Sequence, residues 1–136
     1  MNKPIMHDPT FLAQKAAPAT KADAAVITDL LDTLNANADR CVGMAANMIG
    51  VNKRIIVCQI GPLAVPLVNP VITKKSGAFT TEEGCLSLSG QRRTQRYKNI
   101  TVQYADQNFR SHTQEFSGWV AQIIQHEVDH CNGILI

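Results

Sequence analysis

His126 and His130 stand four positions apart in the run Gln125-His126-Glu127-Val128-Asp129-His130. If that run is helical, the two imidazoles differ by about 40° in direction and leave one face a single turn apart, where they can hold one metal ion. Glu127 is rotated by about 100° from His126. Its carboxylate can therefore take a proton from water at the metal without ligating the ion, which is the division of labour in metal-assisted hydrolysis. The bland alternative is a pair of histidines on a solvated helix face. The setting argues against it, because Val120, Ile123, Ile124, Val128 and Cys131 follow the spacing of a core-facing stripe that both histidines flank. Burying such groups without partners would be costly.

The helix must be started, stopped and backed by other elements. Ser117 is the expected N-cap and Asn132-Gly133 the expected stop. Near the other end of the chain, Val26, Ile27, Leu30, Leu31 and Leu34 lie at helical spacing within residues 21–37, behind Thr20 and Asp23, which resemble a capping box. Gly43 and Gly50 bracket a small-residue turn. Arg54 to Gln59 is a β-branched run that reads as a buried strand, and Gly61-Pro62 marks a reversal. Leu63–Val68 and Val71–Thr73 read as further short strands around Pro66 and Pro70. Asn99 to Tyr104 alternates polar and apolar residues, and Ala105-Asp106-Gln107-Asn108 is a hairpin-like turn into Phe109–Phe116. The expected fold is a single α+β domain over residues 1–136, with mostly antiparallel sheets packed around the metal-binding helix and one N-terminal helix. No βαβ rhythm suggests a nucleotide-binding sheet.

The 136 residues are enough for one core, and 45% hydrophobic with 18% charged residues is an ordinary globular balance. A formal charge of +2 is too small to argue for nucleic acid or an anionic membrane as a partner. No apolar run reaches the roughly 18 residues of a membrane span, and the first residues lack the apolar core of a signal peptide, so the expected location is the cytoplasm. Cys41, Cys58, Cys85 and Cys131 form no C-x-x-C pair and are expected as thiols, any one of which could be a ligand.

A catalytic metal commonly keeps three protein ligands and an open position, so two histidines leave one ligand to be found. Glu83-Gly84-Cys85-Leu86-Ser87 offers Cys85 beside a glycine that lets another backbone approach. Taken alone, a cysteine there packs equally well as a small hydrophobe.

Three segments in this order, Gly43-Met44-Ala45-Ala46-Asn47-Met48, Glu83-Gly84-Cys85-Leu86-Ser87 and Gln125-His126-Glu127-Val128-Asp129-His130, resemble the signature segments of the peptide deformylases, G-x-A-A-x-Q, E-G-C-L-S and Q-H-E-x-D-H. The likeness spans essentially the whole chain. It implies an α+β fold in which Cys85, His126 and His130 hold one divalent metal, natively Fe²⁺, with Zn²⁺ or Ni²⁺ also accommodated. It implies hydrolysis of the N-formyl group from the leading methionine of new polypeptides, with Glu127 as general base and acid and the Leu86 backbone N–H as an oxyanion donor. The resemblance further implies that the Val42-Gly43-Met44 backbone pairs with the extended peptide and that Ile123, with Trp119, borders the methionine pocket. A formyl-methionyl peptide is then the substrate and the ribosome a transient partner. Asp129 and Gln125 are not ligands by spacing. Asp129 can orient a ligating histidine, pair with an arginine such as Arg96, or stay a solvated helix charge.

The chain departs from that pattern in a few places. Met48 stands where the family glutamine donates to the developing oxyanion, and a thioether has no N–H. Asn47 beside it carries an amide that can substitute if the turn rearranges. Cys41 replaces a usual glycine two residues before Gly43, and Ser89 a usual proline. Family members with a C-terminal tail continue well past the corresponding His130, which puts tail-mediated ribosome docking in doubt. The alternatives to an active deformylase are a non-catalytic paralogue that binds formylated N-termini and a hydrolase of another small N-acyl group.

Overall fold

The computed structural model describes residues 1–136. A one-turn helix α1 (Pro9–Leu12) and a 3-10 turn (Lys21–Asp23) precede α2 (Ala24–Ala36); then come β1 (Gly43–Ala45), a 3-10 turn (Ala46–Ile49), β2 (Ile55–Ile60), β3 (Leu63–Cys85), β4 (Leu88–Ala105), β5 (Ser111–Ser117) and α3 (Gly118–Cys131). The strands form one five-stranded sheet in the order β1-β2-β3-β4-β5, antiparallel throughout. The expected α+β fold is found, as one sheet rather than several, and α1 is a short N-terminal helix beyond the one expected.

Helix α2 begins as its sequence requires. The Thr20 side chain accepts from Ala22 N–H and the Asp23 carboxylate accepts from Thr20 N–H, a reciprocal cap of the preceding 3-10 turn. Its stripe, Ile27, Leu30 and Leu34, packs with Met44, Met48, Ile55 and Val57 on one face of the sheet. On the other face Ile123, Ile124 and Val128 of α3 pack with Ile56, Cys58, Leu67 and Ile100. Strand β2 thus sends alternate residues to opposite cores, which is why its sequence is apolar without a break.

The two short strands expected around Pro66 and Pro70 are instead parts of the single 23-residue β3. Pro66 opposes Val57 of β2, before the β4 pairing begins at Val68, and Pro70 falls in the register shift between Val68 and Val71. A missing N–H at either place breaks no regular ladder. Beyond Thr73 the β3–β4 hairpin is mostly exposed, and the alternation in burial that it keeps over Phe79–Cys85 and Arg92–Arg96 falls largely on polar residues, so the hairpin shows no apolar period in its sequence. It still carries the site, for the register shift between Gly84 and Cys85 sits at its far end.

Ser117 is the N-cap of α3 by backbone geometry, but its side chain makes no capping bond. At the other end Gly133 has φ +74°, and a Cβ there would lie 2.4 Å from the Ala13 carbonyl oxygen. Only glycine fits.

Candidate metal centre and active site

Cys85 enters from the end of β3, and His126 and His130 from successive turns of α3. Their ligand atoms all lie within 4.8 Å of one another. Cys85 Sγ is 3.3 Å from His130 Nε2, which is 3.2 Å from His126 Nε2. This spread suits a cation of about 2.0–2.3 Å bond length at their centre. Burial and the neighbouring His126 lower the His130 pKa to about 3, holding that imidazole neutral as a ligand must be. Burial opposes charge on His126, yet hydrogen bonds to Cys85 and Glu83 raise its pKa to about 10, so an ion binding at its Nε2 must displace a proton.

Glu127 lies beside the cluster and is 4% exposed. Its Oε1 is buried without a hydrogen-bond partner, and burial pushes its carboxyl up to about 7. Gly43 makes room for it, since a Cβ on residue 43 would stand 2.6 Å from Ile123 Cγ2 and 3.0 Å from Glu127 Oε2. Together these residues border a cleft of about 620 Å³. A buried carboxylate oxygen without a partner, on the residue next to His126, together with three clustered ligand atoms fits a divalent metal with water at its open position.

Glu83 had no role in the reading of the sequence. Its Oε1 accepts from His126 Nδ1–H at 2.8 Å and from Arg96 Nη2 at 2.7 Å, and its Oε2 accepts from Gln122 Nε2 at 2.8 Å. Burial opposes charge on Glu83, but the bonds from His126, Arg96 and Gln122 outweigh it and lower its pKa to about 2. Of the alternatives open for Asp129, the ion pair with Arg96 is the one found, at 2.7 Å. Gln125 binds the Tyr97 backbone, accepting from its N–H and donating to its carbonyl at 2.8 Å each. The signal for Glu83 was its place two residues before Cys85, on one face of a strand.

The other expected site residues divide. Val42, Gly43, Met48, Leu86, Trp119 and Ile123 all line the cleft. Met44 does not; it is fully buried among the α2 core residues, because its side chain points to the opposite face from Gly43. The backbone follows the same alternation. Gln59 N–H donates to the Val42 carbonyl, so the polar groups of Val42 and Met44 face β2 and those of Gly43 face the free edge of the sheet. The Gly43 carbonyl accepts from the Cys41 thiol at 2.8 Å. The Leu86 N–H donates to no protein acceptor. Met48 Sδ accepts from Ala45 N–H at 3.4 Å. Asn47 is no substitute donor, as its Nδ2 is committed to the His130 carbonyl at 2.9 Å.

A thiol and two imidazoles clustered beside a buried glutamate, on an α+β scaffold with an H-E-x-x-H helix, define a metal-dependent hydrolase. Comparison with known proteins narrows the class. The sequence pattern described as Polypeptide deformylase matches residues 2–136, and a peptide deformylase of Clostridium beijerinckii is 58% identical over 136 residues, 100% of both chains. The Met-Ala-Ser-bound class I type b peptide deformylase of Acinetobacter baumannii has a TM-score of 0.89 at 29% identity, covering 99% of this chain and 97% of that one. The peptide deformylase of Thermotoga maritima has a TM-score of 0.88 at 30% identity, covering 99% and 95%. The chain belongs to the peptide deformylase family.

Proposed function

We propose that the chain hydrolyses the N-formyl group of formyl-methionyl peptides, with Cys85, His126 and His130 holding one divalent metal. The observation that carries this reading is the buried Glu127 Oε1, left without a partner beside the three ligand atoms. Once bound, the metal supplies Lewis acidity that polarises the formyl carbonyl and acidifies water. A thiolate with two imidazoles suits Fe²⁺, Zn²⁺ or Ni²⁺, and Fe²⁺ is the proposed native ion.

The residues then have separate tasks. Glu83 fixes the His126 ring through Nδ1, so that Nε2 is the ligating nitrogen. Glu127 takes the proton of the attacking water at Oε1 and gives it to the departing amine nitrogen. The free Leu86 N–H donates to the oxyanion that develops on the formyl group. The Gly43 edge of β1 pairs with the extended peptide, a mode that gives affinity through the main chain and tolerates varied downstream residues. Ile123, Val42 and Trp119 border the first side chain. The relative that matches this chain end to end is a peptide deformylase, which does not favour a non-catalytic paralogue.

No helix is long and apolar enough to cross a membrane. A cytoplasmic location with transient ribosome contact is part of the proposal. The test is release of formate from a formyl-methionyl peptide by anaerobically purified, metal-assayed protein, beside Glu127→Gln. Turnover in the parent with its loss in the metal-replete variant is expected. A parent that binds metal and peptide without turnover would overturn the reading.

A further inference from the structure

Gln122 stands one helical turn before His126 on α3, and both side chains reach the same cleft. Its carboxamide is engaged on one side only. Nε2 donates to Glu83 Oε2 at 2.8 Å, which fixes the plane of the group, while Oε1 accepts nothing from the protein. The residue is half-buried, so this oriented acceptor forms part of the cleft wall and still reaches water. Along the same cleft Val42, Trp119 and Ile123 supply apolar surface and Thr81 a further polar group. Thr81 precedes Glu83 and Cys85 at intervals of two along β3, as residues sharing one strand face do.

We infer that Gln122 determines which first residue the enzyme accepts: its Oε1 takes a hydrogen bond from a substrate side chain that carries a donor, so formyl-glutaminyl peptides are processed alongside formyl-methionyl ones. The inference rests on the deformylase reading above. Methionine and glutamine side chains are both unbranched and nearly equal in length, so one slot admits either. They differ in that glutamine must surrender the hydration of an amide. In a wholly apolar slot that amide would stay unpaired and cost the substrate about 10- to 100-fold in rate. Gln122 Oε1 removes much of that discrimination, and because water can still reach it, a methionine side chain beside it is not rejected. A pocket that strictly required the donor would discriminate far more strongly, but it would have a fully buried acceptor.

The test compares kcat/KM for formyl-Met-Ala-Ser and formyl-Gln-Ala-Ser in the metal-assayed parent, Gln122→Leu and Gln122→Met. The parent should prefer methionine by about 10-fold or less, and both variants should raise that preference by about 10-fold or more. Any loss from the missing bond to Glu83 falls on both substrates and cancels in the ratio. Binding of the unformylated tripeptides Met-Ala-Ser and Gln-Ala-Ser, followed by fluorescence of Trp119, the one tryptophan of the chain, should show the same change without any turnover. A parent preference above about 100-fold, or a ratio unaltered in both variants by both assays, overturns the assignment of Gln122. If the metal-loaded parent turned over neither formyl peptide, the deformylase reading would fail, and the binding ratio would still decide the role of Gln122.

Discussion

The Glu83 carboxylate stands 2.8 Å from His126 Nδ1, so the ring presents Nε2, its other nitrogen, to Cys85 and His130. The same carboxylate receives Arg96, whose side chain is 4% exposed and whose second partner is Asp129. Orientation of a proposed metal ligand and neutralisation of a buried cation therefore meet on one residue.

Glu83→Ala is expected to weaken metal affinity by about 10- to 100-fold, measured by competition with a chromogenic chelator. It should also lower unfolding stability in urea by about 3 kcal/mol, because Arg96 keeps only Asp129. Arg96→Ala should reproduce the stability loss with a smaller effect on the metal. Equal effects of the two variants on metal affinity would show that Glu83 does not act through His126.

Gly43→Ala tests the close approach of β1 to α3. Its Cβ would meet Ile123 Cγ2 at 2.6 Å and Glu127 Oε2 at 3.0 Å, distances at which the helix side must move. The variant should retain metal and lose about 10-fold or more of kcat/KM, with a stability cost of about 1–3 kcal/mol. Combining it with Ile123→Ala removes the nearest clash and should recover part of the stability. Activity within twofold of the parent would mean that Glu127 tolerates displacement.

The H-E-x-x-H helix, the capping box of the 3-10 turn before α2 and the buried β2 were legible because their signals are local: a 3.6-residue period, a pair of caps, an unbroken apolar run. The long β3–β4 hairpin was not, since the half-buried face of its outer half is mostly polar, and Pro66 and Pro70 read as strand breaks although one precedes the β4 pairing and the other falls in a register shift. Cys85 and the two histidines were found through motifs, and Asp129 was placed among alternatives that included Arg96. Glu83 and Gln122 gain their meaning only from contacts 43 and 39 residues away in sequence. Met44 lies outside the cleft, because a motif names residues without saying which face of the sheet each one occupies.

Cys58 and Cys131 tie stability to alkaline pH. Burial pushes both thiols up to about 12 from an ordinary value of 9.0, with the Glu127 carboxylate adding to the shift. The folded state holds them protonated while the unfolded chain ionises them above about 9, so their contribution is complete below that pH and is lost as pH rises towards about 12. At one pH unit above the unfolded value the loss is roughly 1.4 kcal/mol per thiol. The urea midpoint of the parent should fall between pH 9 and 11, and Cys58→Ala with Cys131→Ala should flatten that fall while lowering stability at neutral pH. An equal slope in parent and double variant would show that other groups govern alkaline unfolding.

Met48 is the position at which a catalytic donor of the family pattern is replaced. Its Sδ already accepts from Ala45 N–H at 3.4 Å and its side chain lines the cleft, so a glutamine there can accept that same N–H through Oε1 and turn Nε2 towards the substrate. Met48→Gln is expected to raise kcat/KM by about 10-fold, the worth of one good hydrogen bond to developing charge, with kcat changing more than KM. Asn47→Ala separates this from a rearranged turn. Because Asn47 Nδ2 holds the His130 carbonyl, its loss should cost about 1–3 kcal/mol of stability and leave the gain from Met48→Gln in place. If Asn47→Ala abolished turnover in a stable, metal-replete protein while Met48→Gln added nothing, Asn47 would be the oxyanion donor. If neither substitution altered turnover, the Leu86 N–H and the metal would suffice, and the thioether at position 48 would cost the enzyme nothing.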